Sequence, residues 1–247
     1  MKKLILSLGL CGLTMFSYAV VNSSAPIIAG VPPAAGSQYV ENYAHRGARS
    51  FSPENTLPAY KTGLAVGTNW VDMDIGITKD GVILVDHDLW LNPDILCKDG
   101  KFWAPSKQSF YAQLESAAGG INKNIQPYLV KNLTLAELEQ YDAGMLNPQS
   151  PYAKYFPDQF ALNGTKMPTL QAVVDYVNQV TNKQVGFQIE IKNDPSHPKW
   201  TVSAHEFAKK VNDFLVKNDL VARAEIQSFD WQPLYDLHKL NPQVKLA

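Results

Sequence analysis

Cysteine is nearly missing from this 247-residue chain: only Cys11 and Cys97 occur, which excludes a disulfide-stapled scaffold. Charge is also sparse, at 18% of residues, and neither sign prevails, with 22 Lys and Arg against 23 Asp and Glu. A chain without a basic excess has little hold on phosphate backbones, so nucleic acid is not an expected partner. Beyond the N-terminus no apolar run approaches the ~20 residues of a transmembrane helix. There is no internal repeat. What the sequence does have is 45% hydrophobic and 11% aromatic residues, enough for a sizeable core in one large domain or two small ones.

The N-terminus reads as an export signal. Lys2 and Lys3 precede an apolar run from Leu4 to Phe16, and small residues follow around Ala19, the pattern of a cleaved signal peptide at 1–19. Cleavage leaves Cys97 alone, a small hydrophobe in the chain's interior connection at 89–133 with no internal disulfide partner. The expected location is outside the cytoplasm, periplasmic or secreted. Residues 20–40 are small, Pro-rich and uncharged, which predicts a flexible arm.

Short apolar runs rich in β-branched and aromatic residues at 42–45, 70–75, 82–86, 185–191, 224–228 and 243–247 predict six strands. Helical stripes separate most of them. Leu57, Tyr60 and Leu64 share one face; Leu170, Val173, Val174 and Val177 follow Thr169; Phe207, Val211, Phe214 and Leu215 follow Ser203. Thr134 and Glu137 have capping-box spacing. Alternating strands and helices predict an α/β fold with parallel pairing and right-handed crossovers. Residues 89–133 break the alternation, as a lid, binding insert or small subdomain would. Their aromatics, Trp90, Phe102, Trp103, Phe110 and Tyr111, suit either the insert's own small core or contact with a cationic head group or lipid surface. His197, His205 and His238 read as solvated surface residues.

The chemistry-bearing side chains stand where strands end. His45 and Arg46 follow the first predicted strand, Asp72 and Asp74 close the second, and His87 closes the third. Glu190 and Lys192 close the fourth and Gln227 the fifth. Residues two apart on a strand share a face, so Asp72 pairs with Asp74 and Glu190 with Lys192. In parallel strands these ends meet at one rim, where α/β proteins bind ligands. Oxygen ligands from Asp72, Asp74 and Glu190 suit Ca²⁺ or Mg²⁺. Arg46 and Lys192 suit a phosphate, and His45 with His87 can share acid and base work. Together they describe metal-assisted cleavage of a phosphate ester.

The stretches AHRGARSFSPENTLPAY, WVDMDIGITKDGVILVDHD, LTLAELEQYDAG, MPTLQAVVDYV, FQIEIK and IQSF resemble the glycerophosphodiester phosphodiesterase family, in family order, from about residue 41 to the end. The resemblance implies one domain over 41–247, a TIM-type (β/α)₈ barrel with an insertion after the third strand. It implies His45 and His87 as the acid–base pair, Arg46 and Lys192 as phosphate contacts, and Asp72, Asp74 and Glu190 as metal ligands. Glu54 matches a position in or beside the site, supporting Arg46 or the metal, with Gln227 a further supporting residue. The implied substrate is a small-molecule glycerophosphodiester, cleaved to sn-glycerol 3-phosphate and an alcohol, with membrane-surface contact an open option.

Two departures stand out. The family pattern is Glu-x-Asp where this chain has Asp72-Met73-Asp74, which shortens the first ligand by roughly 1.5 Å and implies a bridging water or a changed ion preference. The sixth predicted strand also begins as the sequence reaches Ala247, so the barrel is expected to be truncated at the C-terminus after about six strands. Sphingomyelinase-D-like and phosphatidylinositol-specific phospholipases share this chemistry, and a non-catalytic binding protein could keep the barrel without turnover.

Overall fold

The computed structural model describes residues 40–247; the predicted signal peptide and all of the predicted arm but Val40 lie outside the described residues. Strands β1 (Tyr43–Ala44), β2 (Trp70–Ile77), β3 (Ile83–Val85), β4 (Gly186–Ile191), β5 (Ala224–Gln227) and β6 (Lys245–Leu246) form one sheet. Its order is β1-β2-β4-β5-β6, all parallel, with β3 paired antiparallel to β2. The predicted parallel third strand is therefore corrected. Only residues 78–82 separate β2 from β3, while a parallel return needs a crossover of a dozen or more residues. Thr78 closes this hairpin, exchanging backbone hydrogen bonds with Val82 and Gly81.

The α-helices of the described residues are α1 (Leu57–Ala65), α2 (Lys107–Ser116), α3 (Gly120–Asn124), α4 (Leu135–Leu138), α5 (Leu170–Thr181), α6 (Ala204–Lys217) and α7 (Trp231–Leu240). Thr56, Thr134, Thr169 and Ser203 cap α1, α4, α5 and α6 through their hydroxyls, and the capping box at Thr134 and Glu137 is complete. The predicted stripes are the buried faces. Tyr60 and Leu64 of α1, the valines of α5, and Phe207, Val211 and Leu215 of α6 pack on Val71, Met73, Ile75, Phe187, Ile189 and Ile226 of the sheet.

Alternation does the rest. Val71, Met73 and Ile75 face the helices, so Asp72 and Asp74 face away from them; Glu190 does the same between the buried Ile189 and Ile191. The register sets Asp74 beside Glu190, and Glu190 beside Gln227. One face of the sheet is thus core and the other carries the acids.

Between β3 and α5 the chain is mostly irregular, continuing past residue 133 to Pro168. It builds most of two further cores, joined by Leu84 from β3 and Trp200 from the β4–α6 loop. Leu84, Leu91, Leu96, Val130 and Leu138 form one; Trp90, Phe110, Leu114, Ile125, Leu129 and Trp200 form the other. Trp103 and Tyr111 pack against the second cluster, so the insert's aromatics serve mainly as its own core. Cys97 is buried there as a free thiol. No described helix is long and apolar enough to cross a membrane.

Candidate active site

The turn after β1 is a tight fit against α1. Arg46 and Gly47 both take positive φ, 52° and 82°. A Cβ on Gly47 would stand 2.6 Å from the Ala59 backbone carbon, so only glycine allows this approach. The turn aims Arg46 across the acid-bearing face. Its guanidinium donates to Glu54 Oε1 at 2.8 Å and lies 3.1 Å from Asp74 Oδ2. Burial works against the charge, but Glu54 and Asp74 outweigh it and bind the proton more tightly than in free arginine.

Asp74 is the hub. Beyond Arg46 it accepts from Asn55 Nδ2 at 2.8 Å and pairs with Lys192 Nζ at 2.9 Å. Burial alone would raise its pKa; Arg46 and Lys192 more than offset that and hold it ionised, below the ordinary carboxylate value. Lys192 also donates to Glu190 Oε1 at 2.5 Å, so Asp74 and Glu190 already share one cation. Asp72 has only a long contact, 3.4 Å, from the Arg46 backbone N–H. Burial, then the neighbouring Asp74 charge, push its pKa up to about 6.

The β2–β3 hairpin brings the second imidazole to the same rim. Asp86 N–H donates to Asp74 O, and the chain continues past Asp74 into His87 and Asp88. His87 Nδ1 lies 3.3 Å from Asp88 Oδ1. The Asp88 carboxylate is also held by Lys107 from α2 and by Asn92. Burial opposes its charge, but His87 and Lys107 keep it well below the ordinary value. His45 stands at the exposed edge. Partial desolvation, then the Arg49 and Arg46 charges, lower its pKa, and it is near enough to feel His87.

The structure thus gathers Arg46, Glu54, Asp72, Asp74, His87, Glu190 and Lys192 around one rim; His45 stands at its edge, near enough for Asp74 and His87 to act on its charge but lining a separate cleft with Tyr43, Arg49 and Phe156. Gln227 is placed only by its register beside Glu190. Sequence reasoning missed several partners. Asn55 has φ 55°; its Oδ1 accepts from Tyr60 OH at 3.1 Å while its amide holds Asp74. Tyr152 arrives from far along the chain, donating to Glu54 Oε2 and accepting from Arg49 at 3.4 Å. Asp86 is buried with Oδ2 unpartnered, and burial, Asp88 and Glu54 push its pKa well up. Asn55 sits in the PENT stretch and Asp88 beside His87, so spacing could have found both; Lys107 and Tyr152 leave no local signal. His197 differs from expectation: it is half-buried, bonded to Asp194 and stacked 3.9 Å from Trp200.

A hard divalent cation suits this donor set. Acids outnumber Arg46, Lys107 and Lys192 at the rim, Asp72 has almost no partner, and Asp74 with Glu190 already bridges a cation. Among the described residues, however, no three acids, imidazoles or thiols stand grouped as ligands around one point.

Residues 45–247 match the Glycerophosphoryl diester phosphodiesterase family. The chain belongs to that family. It is 26% identical over 243 residues to a glycerophosphodiester phosphodiesterase of Bacillus subtilis, covering 98% of this chain and 69% of the relative. A Caldanaerobacter subterraneus glycerophosphodiester phosphodiesterase is 26% identical over 83% of this chain and 64% of its own. Among solved structures, a family protein from Silicibacter pomeroyi superposes with TM-score 0.69 at 26% identity, over 84% of this chain and 63% of that one. An Oleispira antarctica phosphodiesterase, solved with the product sn-glycerol-3-phosphate, shares the fold with TM-score 0.54 at 22% identity, over 84% and 64%. This glycerophosphodiester phosphodiesterase family chain spans about two-thirds of the length of these relatives, and its fold class is their TIM-type α/β architecture.

Proposed function

We propose that this chain hydrolyses glycerophosphodiesters to sn-glycerol 3-phosphate and an alcohol. The observation that carries this is the convergence of two imidazoles and two basic side chains on a rim of surplus acids. Arg46 offers its fork and Lys192 its ammonium to the phosphate oxygens. His45, held neutral at neutral pH, takes a proton from the attacking hydroxyl. His87, its Nδ1 set by Asp88, hands a proton from Nε2 to the departing alkoxide, so a P–O bond forms as another breaks. Asp72, Asp74 and Glu190 would hold Ca²⁺ or Mg²⁺, which supplies charge neutralisation at the phosphoryl oxygens. The Lys-led apolar run at 1–19 supports export, with the work done in the periplasm or outside the cell.

The direct test is release of glycerol 3-phosphate from glycerophosphocholine with Ca²⁺ or Mg²⁺ and its loss with a chelator. No release with any divalent ion would sink the reading. Metal binding has its own readout in stability. Asp72 keeps a proton up to about pH 6, above an ordinary aspartate, so below that pH a cation must displace it. Ca²⁺ at a concentration a hundred times its Kd at pH 8 is expected to stabilise the protein by about 2.7 kcal/mol there, and the same concentration by clearly less at pH 5. Equal shifts in thermal midpoint at both pH values would remove Asp72 from the ligand set.

A further inference from the structure

Arg46 is held toward the rim by a chain of contacts that begins outside it. Of its N–H donors, Nε faces Asp74 Oδ2 and Nη1 holds Glu54 Oε1. Among the described residues Nη2 meets no acceptor, which leaves it for a phosphate oxygen. Where Nη2 points therefore depends on the plane of the Glu54 carboxylate. That side chain is 3% exposed and turns about several bonds, so a single anchored oxygen does not fix it. The other oxygen, Oε2, accepts from the Tyr152 hydroxyl.

Tyr152 is itself fixed by its surroundings. Its backbone N–H donates to Ser150 Oγ at 3.1 Å, where the 3₁₀ turn Pro151–Tyr155 begins. Just upstream the fully buried Asn147 donates its side-chain amide to Pro93 O at 3.0 Å and Ala104 O at 2.9 Å, which ties this turn to the insert. The ring packs edge-on against Phe156, 5.1 Å between centroids, and the phenol oxygen accepts from Arg49 at 3.4 Å. Burial, then the Glu54 charge, raise the phenol pKa, so the hydroxyl stays a donor at working pH. We propose that Tyr152 is a positioning residue for phosphodiester cleavage: through Glu54 it sets the plane of the Arg46 guanidinium, and with it the fork that receives the substrate's phosphate. A binding group whose support is loosened loses productive geometry even though its own contacts are all still possible.

This rests on the hydrolysis proposed above, and Tyr152→Phe tests it, because that change removes one hydroxyl and keeps the ring on Phe156. With Ca²⁺ present it is expected to raise KM for glycerophosphocholine about tenfold, the equivalent of one charge-assisted hydrogen bond, and to leave kcat within about twofold. Calorimetry should show affinity for sn-glycerol 3-phosphate weakened in the same proportion. An Arg46→Lys background separates positioning from support of the fold, because an ammonium has no plane to set. There Tyr152→Phe is expected to weaken KM and affinity by less than about twofold, and taking the ratio within each background cancels general damage to the fold. An equal loss in both backgrounds, or no loss in the wild type, overturns the positioning role and leaves the hydrolysis standing. Absence of turnover by the wild type overturns the hydrolysis. The positioning role is then judged by the same cycle in glycerol 3-phosphate affinity, and it falls if the two positions act independently. A chain that neither cleaves the ester nor binds glycerol 3-phosphate overturns both.

Discussion

Replacing His87 by Ala is expected to cut kcat on glycerophosphocholine by about 10²–10⁴-fold, the range for removing a positioned acid or base. At 1.36 kcal/mol per factor of ten, this is about 3–5 kcal/mol of lost transition-state stabilisation. The loss should fall on kcat more than on KM, because Arg46 and Lys192, the proposed phosphate contacts, keep their places in the variant. Stability should hardly change. The His87 side chain is 28% exposed and its charged neighbour is Asp88, which keeps Lys107 and Asn92. Steady-state kinetics beside a thermal melt check both halves. A kcat drop smaller than tenfold would remove His87 from the chemistry.

Asp74→Ala tests the opposite property, because its main cost is to the fold. The side chain is 2% exposed and meets Arg46, Lys192 and Asn55 together. Breaking a buried pair by deleting one partner costs about 3–5 kcal/mol. Arg46 retains Glu54 and Lys192 retains Glu190, so about 3 kcal/mol is expected, read from urea denaturation without divalent ions. The sign with pH follows from the lowered pKa of Asp74. Its contribution is fully present above the unfolded aspartate value of about 3.9 and is lost as pH falls through the lower folded value. The gap between wild type and variant should therefore be wide at pH 7 and shrink in strong acid. A variant as stable as the wild type at pH 7 would show that Arg46 and Lys192 do not depend on Asp74.

Much of this was legible in the sequence because it is local. Period-two alternation through Asp72 and Asp74, and again through Glu190, fixes the face of each side chain whatever the strand's neighbours are. The caps at Thr56, Thr134, Thr169 and Ser203 are decided within one helical turn. The orientation of β3 was legible but missed: its strand pattern is the same in either direction, yet the short connection at 78–82 is too brief for a parallel return. Tyr152, Lys107 and Trp200 were invisible for another reason. Each reaches its position through packing of the long connection or the β4–α6 loop, and no spacing rule links Tyr152 to Glu54 or Trp200 to Asn122.

The strand order also constrains how this molecule comes to exist. β2 and β4 are neighbours in the sheet, yet the whole stretch from Thr78 to Val185 lies between them. Joining distant segments pays a chain-closure entropy that rises by about 0.6 kcal/mol per doubling of the loop, and non-local pairings of this kind slow folding. The clusters packed within the intervening segment shorten the span that the sheet has to close. The pairing that sets Asp74 beside Glu190 also delivers Lys192, two residues on, so the two carboxylates and the cation they share arrive as one long-range contact.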